Sequence, residues 1–319
     1  MLYTKTISSK EKTDHIGNHS VSQLVDLSDH HKVLEEVQII IRLIFPSFDF
    51  RYVTKIFWDV EALFNGEYPG YRACNTEYHD IRHTHQVLLA MLRLMHGASI
   101  SGIRFSEKEI HIGLIGALMH DTGYIQKSSD ETGTGAKYTL IHIKRSIDFT
   151  QKYFAGNTYF EESLPDFADI LNCTGLLTMT TVIKFSSSNI ALLGKMLGTA
   201  DLLGQMSDRL YLEKLLFLYI EFYESGIKGF NSEFDLLQKT IGFYDMTKKR
   251  LIDELGGVSN YAIHHFRERW NIDLDLYTDA INRNIEYLKK LLTDHPEDYL
   301  SFLRRSELTQ KLKKISITA

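Results

Sequence analysis

A chain of 319 residues with 44% hydrophobic content and a formal net charge of −5 has apolar surface for one large core or two modest ones. No run reaches the roughly 20 apolar residues that a membrane span requires, and the mild acidity, spread along the chain, leaves no electrostatic footprint for nucleic acid. Two cysteines, Cys74 and Cys173, neither in a CxxC pair, exclude a disulfide framework. With a start, "MLYTKTISSKEKTDH", that lacks the apolar segment of a signal peptide, they lead us to expect a cytoplasmic location.

Only four prolines, long stretches at helical spacing and few alternating apolar runs predict an all-α protein. Residues 1 to about 30 are polar, carry or border on His15, His19, His30 and His31, and read as an arm or short leading helix. Residues 31–319 read as a single helical domain, with a motif core over about 50–255 and a C-terminal helical extension over 256–319. "VLEEVQIIIRLIF" from Val33 predicts a helix stopping near Pro46, and "YVTKIFWDVEALFNG" a second closed by Gly66.

The next stretch, "NTEYHDIRHTHQVLLAM" from Asn75, sets His79, Asp80, His83 and His85 just ahead of an apolar run. A helix from about Asp80 to His96 is expected, with Val87, Leu88, Met91, Leu92 and Met95 as its buried stripe. His79 and His83, four apart, would project from neighbouring turns of one face while His85 points elsewhere. A lone histidine signifies little, so the question is whether partners exist.

They come in "SEKEIHIGLIGALMHDTGY", where Ser106 and Glu109 fit a capping box and a strongly apolar helix ends in His120-Asp121 before Gly123. Burying this pair is costly unless something compensates, and a metal ion binds imidazole nitrogen and carboxylate together. Farther on, "NIALLGKMLGTADLLGQMSDRLYLEKLLFLYIEF" reads as one long helical pattern whose apolar interior is interrupted by Asp201, with Gln205 and Asp208 at i+4 and i+7. A solvated face accounts for Asp208 but poorly for Asp201. Together His83, His120, Asp121 and Asp201 supply two nitrogens and two carboxylates from three helices, a set suited to a divalent transition metal (Mn, Fe, Ni, Co or Zn).

The order H…HD…D resembles the HD superfamily of metal-dependent phosphohydrolases, and "YHDIRHTHQV" is similar to the Y-H-N-x-x-H-A-x-D-V signature of the class I cyclic nucleotide phosphodiesterases. The resemblance implies an HD-domain helical fold with the metal between helices, His79 as general acid and His83 as the first ligand. It also implies hydrolysis of a phosphate ester, a nucleotide or other phosphodiester, by metal-activated water, with His79 and Asp121 as catalytic residues. "KTIGFYDMTKKRL" is similar to that family's S-Q-V-G-F-I-D segment and places Phe243 at the base-stacking position. Tyr219, Phe222 and Tyr223 are further candidates for a base pocket.

The departures carry their own expectations. "HDTGYIQ" lacks the Asp and His that follow HD in the phosphodiesterases, and His142 is the one histidine between Asp121 and Asp201, so a second metal, such as Mg, would have little support beyond it. Thr240 stands in place of the purine-reading glutamine, with Gln238 two places away, which predicts loose base selection. Arg82, Lys184, Lys195, Gln205 and Arg209 are the candidates for phosphate or second-metal contact. Shortage of histidines disfavours a di-iron HD oxygenase. "TGY" running into Ile125 disfavours an HD-GYP cyclic dinucleotide hydrolase, and the absence of the HD-x-x-E-D pattern disfavours a (p)ppGpp hydrolase. A non-catalytic nucleotide-sensing or scaffold module is the main alternative, and a homo-oligomer is compatible with the sequence. His264 and His265 lack a carboxylate or cysteine at ligand spacing and are expected to pack or face solvent.

Overall fold

The computed structural model describes residues 20–176 and 178–303. His15, His19 and the basic tail "RRSELTQKLKKI" lie outside them. Among the described residues the protein is all-α, with eleven α-helices and no strand. No helix among them is long and apolar enough to cross a membrane.

The first four helices follow the sequence signals closely. α1 (His30–Ile44) is capped by Asp29, whose carboxylate accepts from the His31 and Lys32 amides. α2 (Arg51–Asn65) ends at Gly66, whose φ of 78° is the left-handed C-cap conformation that glycine adopts without steric cost. α3 (Ile81–Ile100) begins where Asp80 accepts from the His83 amide, and every residue from His83 to Ala98 is buried. α4 (Glu107–Met119) opens on the Ser106–Glu109 capping box and is apolar all round, so it too runs through the interior.

Around this pair stand α5 (His142–Tyr153), α6 (Leu164–Asn172), α7 (Ser188–Met206), α8 (Tyr211–Glu224), α9 (Glu233–Asp253), α10 (Tyr261–Trp270) and α11 (Leu276–Asp294). α3 is the axis: α1, α4, α7 and α10 all pack on it. α10 and α11 lie against α3 and α7, so residues following 256 share the core of the motif helices.

The pattern expected as one helix from Asn189 to Phe222 is two. Ser207–Leu210 breaks it, and the Asp208 carboxylate accepts from the Leu210 amide at 3.1 Å to hold the turn. That break reverses an expectation about polarity. Asp208, expected on a solvated face, is 2% exposed, whereas the Asp201 side chain keeps 15% of its surface. Asp208 lies within an ionic network with Lys214 at 4.0 Å and Arg82 at 3.9 Å. His265 is fully buried and shares a 3.0 Å Nδ1–Nδ1 contact with His96, a packing role between α10 and α3.

Candidate metal centre

Three elements converge on one point. α3 supplies His83 from its first turn, the end of α4 supplies His120 as C-cap and Asp121 one residue later, and α7 supplies Asp201. His83 Nε2 is 3.3 Å from His120 Nε2, 3.1 Å from Asp201 Oδ1 and 3.4 Å from Asp121 Oδ2. His120 Nε2 is 3.2 Å from Asp121 Oδ2 and 3.9 Å from Asp201 Oδ1. Donor atoms of His83, His120 and Asp201 all lie within 4.8 Å of one another, a group that could hold a metal ion, and Asp121 adds its carboxylate to both imidazoles.

Secondary contacts set the chemistry of each donor. His120 Nδ1–H donates to the Ala117 carbonyl at 2.8 Å, which leaves the lone pair on Nε2, the tautomer of a ligating histidine. Asp201 Oδ1 accepts from Gln205 Nε2 at 3.2 Å, and Gln205 Oε1 accepts from the Tyr78 hydroxyl at 2.6 Å. Gln205, expected as a phosphate or second-metal contact, therefore orients Asp201. Asp121 Oδ2 is buried without a hydrogen-bond partner. Desolvating a carboxylate costs on the order of several kcal/mol unless positive charge answers it.

The electrostatics respond to the same demand. Burial works against charge on His120, yet Asp121 and Asp201 push its pKa up to about 9. Burial also opposes ionisation of Asp121, but His120, His79 and His83 hold it well below the usual carboxylate range. A divalent ion would supply this positive charge from a single point, and the donor set of two imidazoles and two carboxylates could hold one.

His79 does not lie on α3. It precedes the Asp80 cap, so the expected side-by-side placement of His79 and His83 on one helix face does not describe it. A loop places the ring instead. The His79 carbonyl accepts from Thr76 Oγ1 at 2.7 Å, and the imidazole stands 6.2 Å from the His83 ring, centroid to centroid. His79 Nδ1 is 2.7 Å from Glu221 Oε2 of α8, while Glu221 Oε1 accepts from the Tyr78 amide at 2.8 Å. Burial penalises the charged ring, but Glu221, reinforced by Asp121 and Asp201, raises the His79 pKa above its ordinary value. Asp80 is occupied elsewhere, capping α3 and accepting from Lys214 at 3.0 Å.

His142 reaches the same centre because Gly123 lets α5 approach. A Cβ on Gly123 would sit 1.9 Å from the His142 carbonyl oxygen. Ser146 Oγ donates to the His120 carbonyl at 2.6 Å and accepts from the Gly123 amide at 2.9 Å, and Arg145 Nε donates to the Gly123 carbonyl at 2.6 Å. His142 Nδ1–H donates to the Thr139 carbonyl at 2.6 Å, so its Nε2 lone pair stands 3.9 Å from Asp121 Oδ1. Burial lowers its pKa, which favours that neutral form. Tyr124 stacks on both rings, 4.2 Å from His79 and 4.7 Å from His142, whose own centroids are 6.3 Å apart.

The remaining candidates are not gathered here. Arg82 pairs with Asp208, Lys184 is exposed, Lys195 reaches toward Gly256, and Arg209 is exposed in the turn between α7 and α8. Gln238 is exposed, Thr240 donates within its own helix to the Leu236 carbonyl at 2.9 Å, and Phe243 packs partly buried against the core. Tyr219 donates to the Asn231 carbonyl, Phe222 stacks on Phe230, and Tyr223 is exposed.

Sequence reading overlooked Glu221 and Tyr124. Glu221 carries the signal that singled out Asp201, an acidic residue at core-face spacing, i+4 from Phe217. A family model described as Npun_R2479-like matches residues 67–255, a span that contains every residue of this centre. No curated protein matches the chain.

Proposed function

The chain belongs to the Npun_R2479-like family, and from the centre inside the matched span we propose that it is a metal-dependent phosphohydrolase acting on a phosphate ester, with a nucleotide or other phosphodiester as substrate. The observation that carries the reading is the juxtaposition of two functions at one place: a four-residue donor set and, beside it, a histidine whose Nδ1 lies 2.7 Å from Glu221, which raises its pKa against the cost of burial. A scaffold has no use for the second.

His83, His120, Asp121 and Asp201 would hold a divalent transition metal of the Mn, Fe, Ni, Co or Zn group, which when bound polarises a phosphoryl oxygen and makes water nucleophilic near neutral pH. The chain's own residues do the rest. Glu221 holds Nδ1–H of His79 and stabilises the imidazolium. The Nε2 proton, beside the Tyr124 hydroxyl at 3.3 Å, is the one available to the leaving oxygen. Tyr124 fixes the ring plane by stacking, and the Tyr78–Gln205 chain fixes Asp201. His142 Nε2 offers a further nitrogen beside Asp121, for a substrate hydroxyl or a second transition-metal ion, and suits the oxygen-preferring Mg poorly.

Selectivity follows from what the base-pocket candidates do. With Thr240 bonded within α9 and Gln238 exposed, neither is set to read a purine edge, so discrimination among bases is expected to stay within the 10- to 200-fold range of apolar fit. The test is a panel of nucleoside monophosphates, cyclic mononucleotides, cyclic dinucleotides and simple phosphodiesters, each assayed with Mn, Fe, Ni, Co, Zn and Mg. Turnover that disappears in Asp201→Asn supports the reading. Silence across the panel with metal bound would favour the sensing or scaffold module instead, and one cyclic mononucleotide preferred by ~10³-fold or more would refute loose base selection.

A further inference from the structure

Two histidines singled out in the sequence play no part in that centre. His85 lies two residues beyond His83, on the opposite side of α3, and is 1% exposed. Its Nε2 is 2.6 Å from Glu61 Oε1, and the other oxygen of Glu61 is 2.7 Å from His30 Nδ1. Glu61 is itself a core residue of α2, 3% exposed, at i+4 from Phe57, whose ring stacks on His85. Donor atoms from the three side chains lie within 4.8 Å of one another.

Ordinary ion pairing accounts poorly for this group. At such distances an imidazole N–H should point at its carboxylate oxygen, yet both Glu61 oxygens and both His85 nitrogens are buried without a hydrogen bond of acceptable direction. The donor atoms converge on a shared space and do not address one another pairwise. A buried carboxylate whose close imidazole neighbours make no well-directed hydrogen bond to it is unfavourable, and a cation in that space would answer it.

We propose that His30, Glu61 and His85 form a second, structural site for a divalent cation of the zinc class, fastening the first turn of α1 to α2 and α3. Two imidazoles and one carboxylate suit zinc with a further position for water, whereas Mg and Ca prefer oxygen ligands throughout. Water has a route, because the His30 side chain keeps 33% of its surface while its partners are closed off. With Phe57 stacked on His85 and Glu61 buried, the group offers a substrate little access, so the cation's role is to tie helices together. The inference does not depend on the phosphohydrolase reading.

The test uses the full chain, stripped by chelator and titrated with Zn²⁺, with bound zinc measured by elemental analysis and stability by thermal unfolding. About two equivalents are expected for the unaltered protein and about one for Asp201→Asn, whose thermal transition should still rise on adding zinc. His30→Gln, at a partly exposed helix start that tolerates the change, should lose the other equivalent. Loss of mere outer-sphere partners already weakens metal sites 10- to 100-fold, so affinity at this one should fall by more than about 100-fold. Glu61→Gln should do the same. Zinc content and affinity unchanged in His30→Gln would overturn the proposal, as would zinc that vanishes entirely with Asp201→Asn. The second result would leave the main centre intact and assign the short contacts at Glu61 to protons shared with its histidines.

Discussion

His79 takes its character from one neighbour. A general acid contributes about 10²- to 10⁴-fold, so His79→Ala should retain the metal of the main centre yet lose turnover on that scale, with a smaller loss for nitrophenyl esters, whose leaving group needs no proton. An equal loss on all substrates, or lost metal in elemental analysis, would make His79 a ligand or a structural group. Glu221→Gln tests the cause. Because Glu221 raises the His79 pKa, the acid stays protonated further toward alkaline pH, and the rate should fall as pH rises through that value. Removing the carboxylate lowers the pKa, so the alkaline limb of kcat against pH should move to lower pH, with metal content unchanged. A limb that stays in place would mean that a different group titrates there.

Among the elements, the turn after α4 decides the most. Gly123→Ala would put a methyl group into the His142 carbonyl and force α5 away, so thermal unfolding should show a loss of about 1–3 kcal/mol, the usual cost of overpacking. Zinc bound at the main centre should weaken only if His142 contributes to it, which the same variant measures. The elements also show where sequence speaks and where it falls silent. Periodicity foretold α1, though its start at His30 behind the Asp29 cap came three residues earlier than expected, and Gly66, Asp80 and the Ser106–Glu109 box marked α2 to α4 because each acts on its own helix. His83, His120, Asp121 and Asp201 could be singled out as costly polar residues in apolar surroundings. Glu221 escaped notice because its partner His79 is 142 residues away, a pairing no local spacing reveals. The placement of His79 was misread for the complementary reason: a loop held by Thr76 does what a helix turn was expected to do. The break at Ser207–Leu210 was missed because it contains neither proline nor glycine and rests on one carboxylate.

At the scale of the whole molecule, the proposed metal centres put charge between helices, and stability should then depend on cations. Chelation should lower the thermal transition and added metal restore it, by about 4 kcal/mol at a thousandfold excess over Kd for one site. In His83→Ala the part of this response that belongs to the main centre should disappear, as calorimetry with and without chelator would show. α3 carries His83 toward one cluster and His85 toward the other and is enclosed on every side from His83 to Ala98. A rod so enclosed has no surface from which to fray. Its amide protons should therefore exchange with deuterium only when the entire chain opens, with one common opening free energy equal to that of unfolding, while the exposed outer face of α9 exchanges through local openings far sooner.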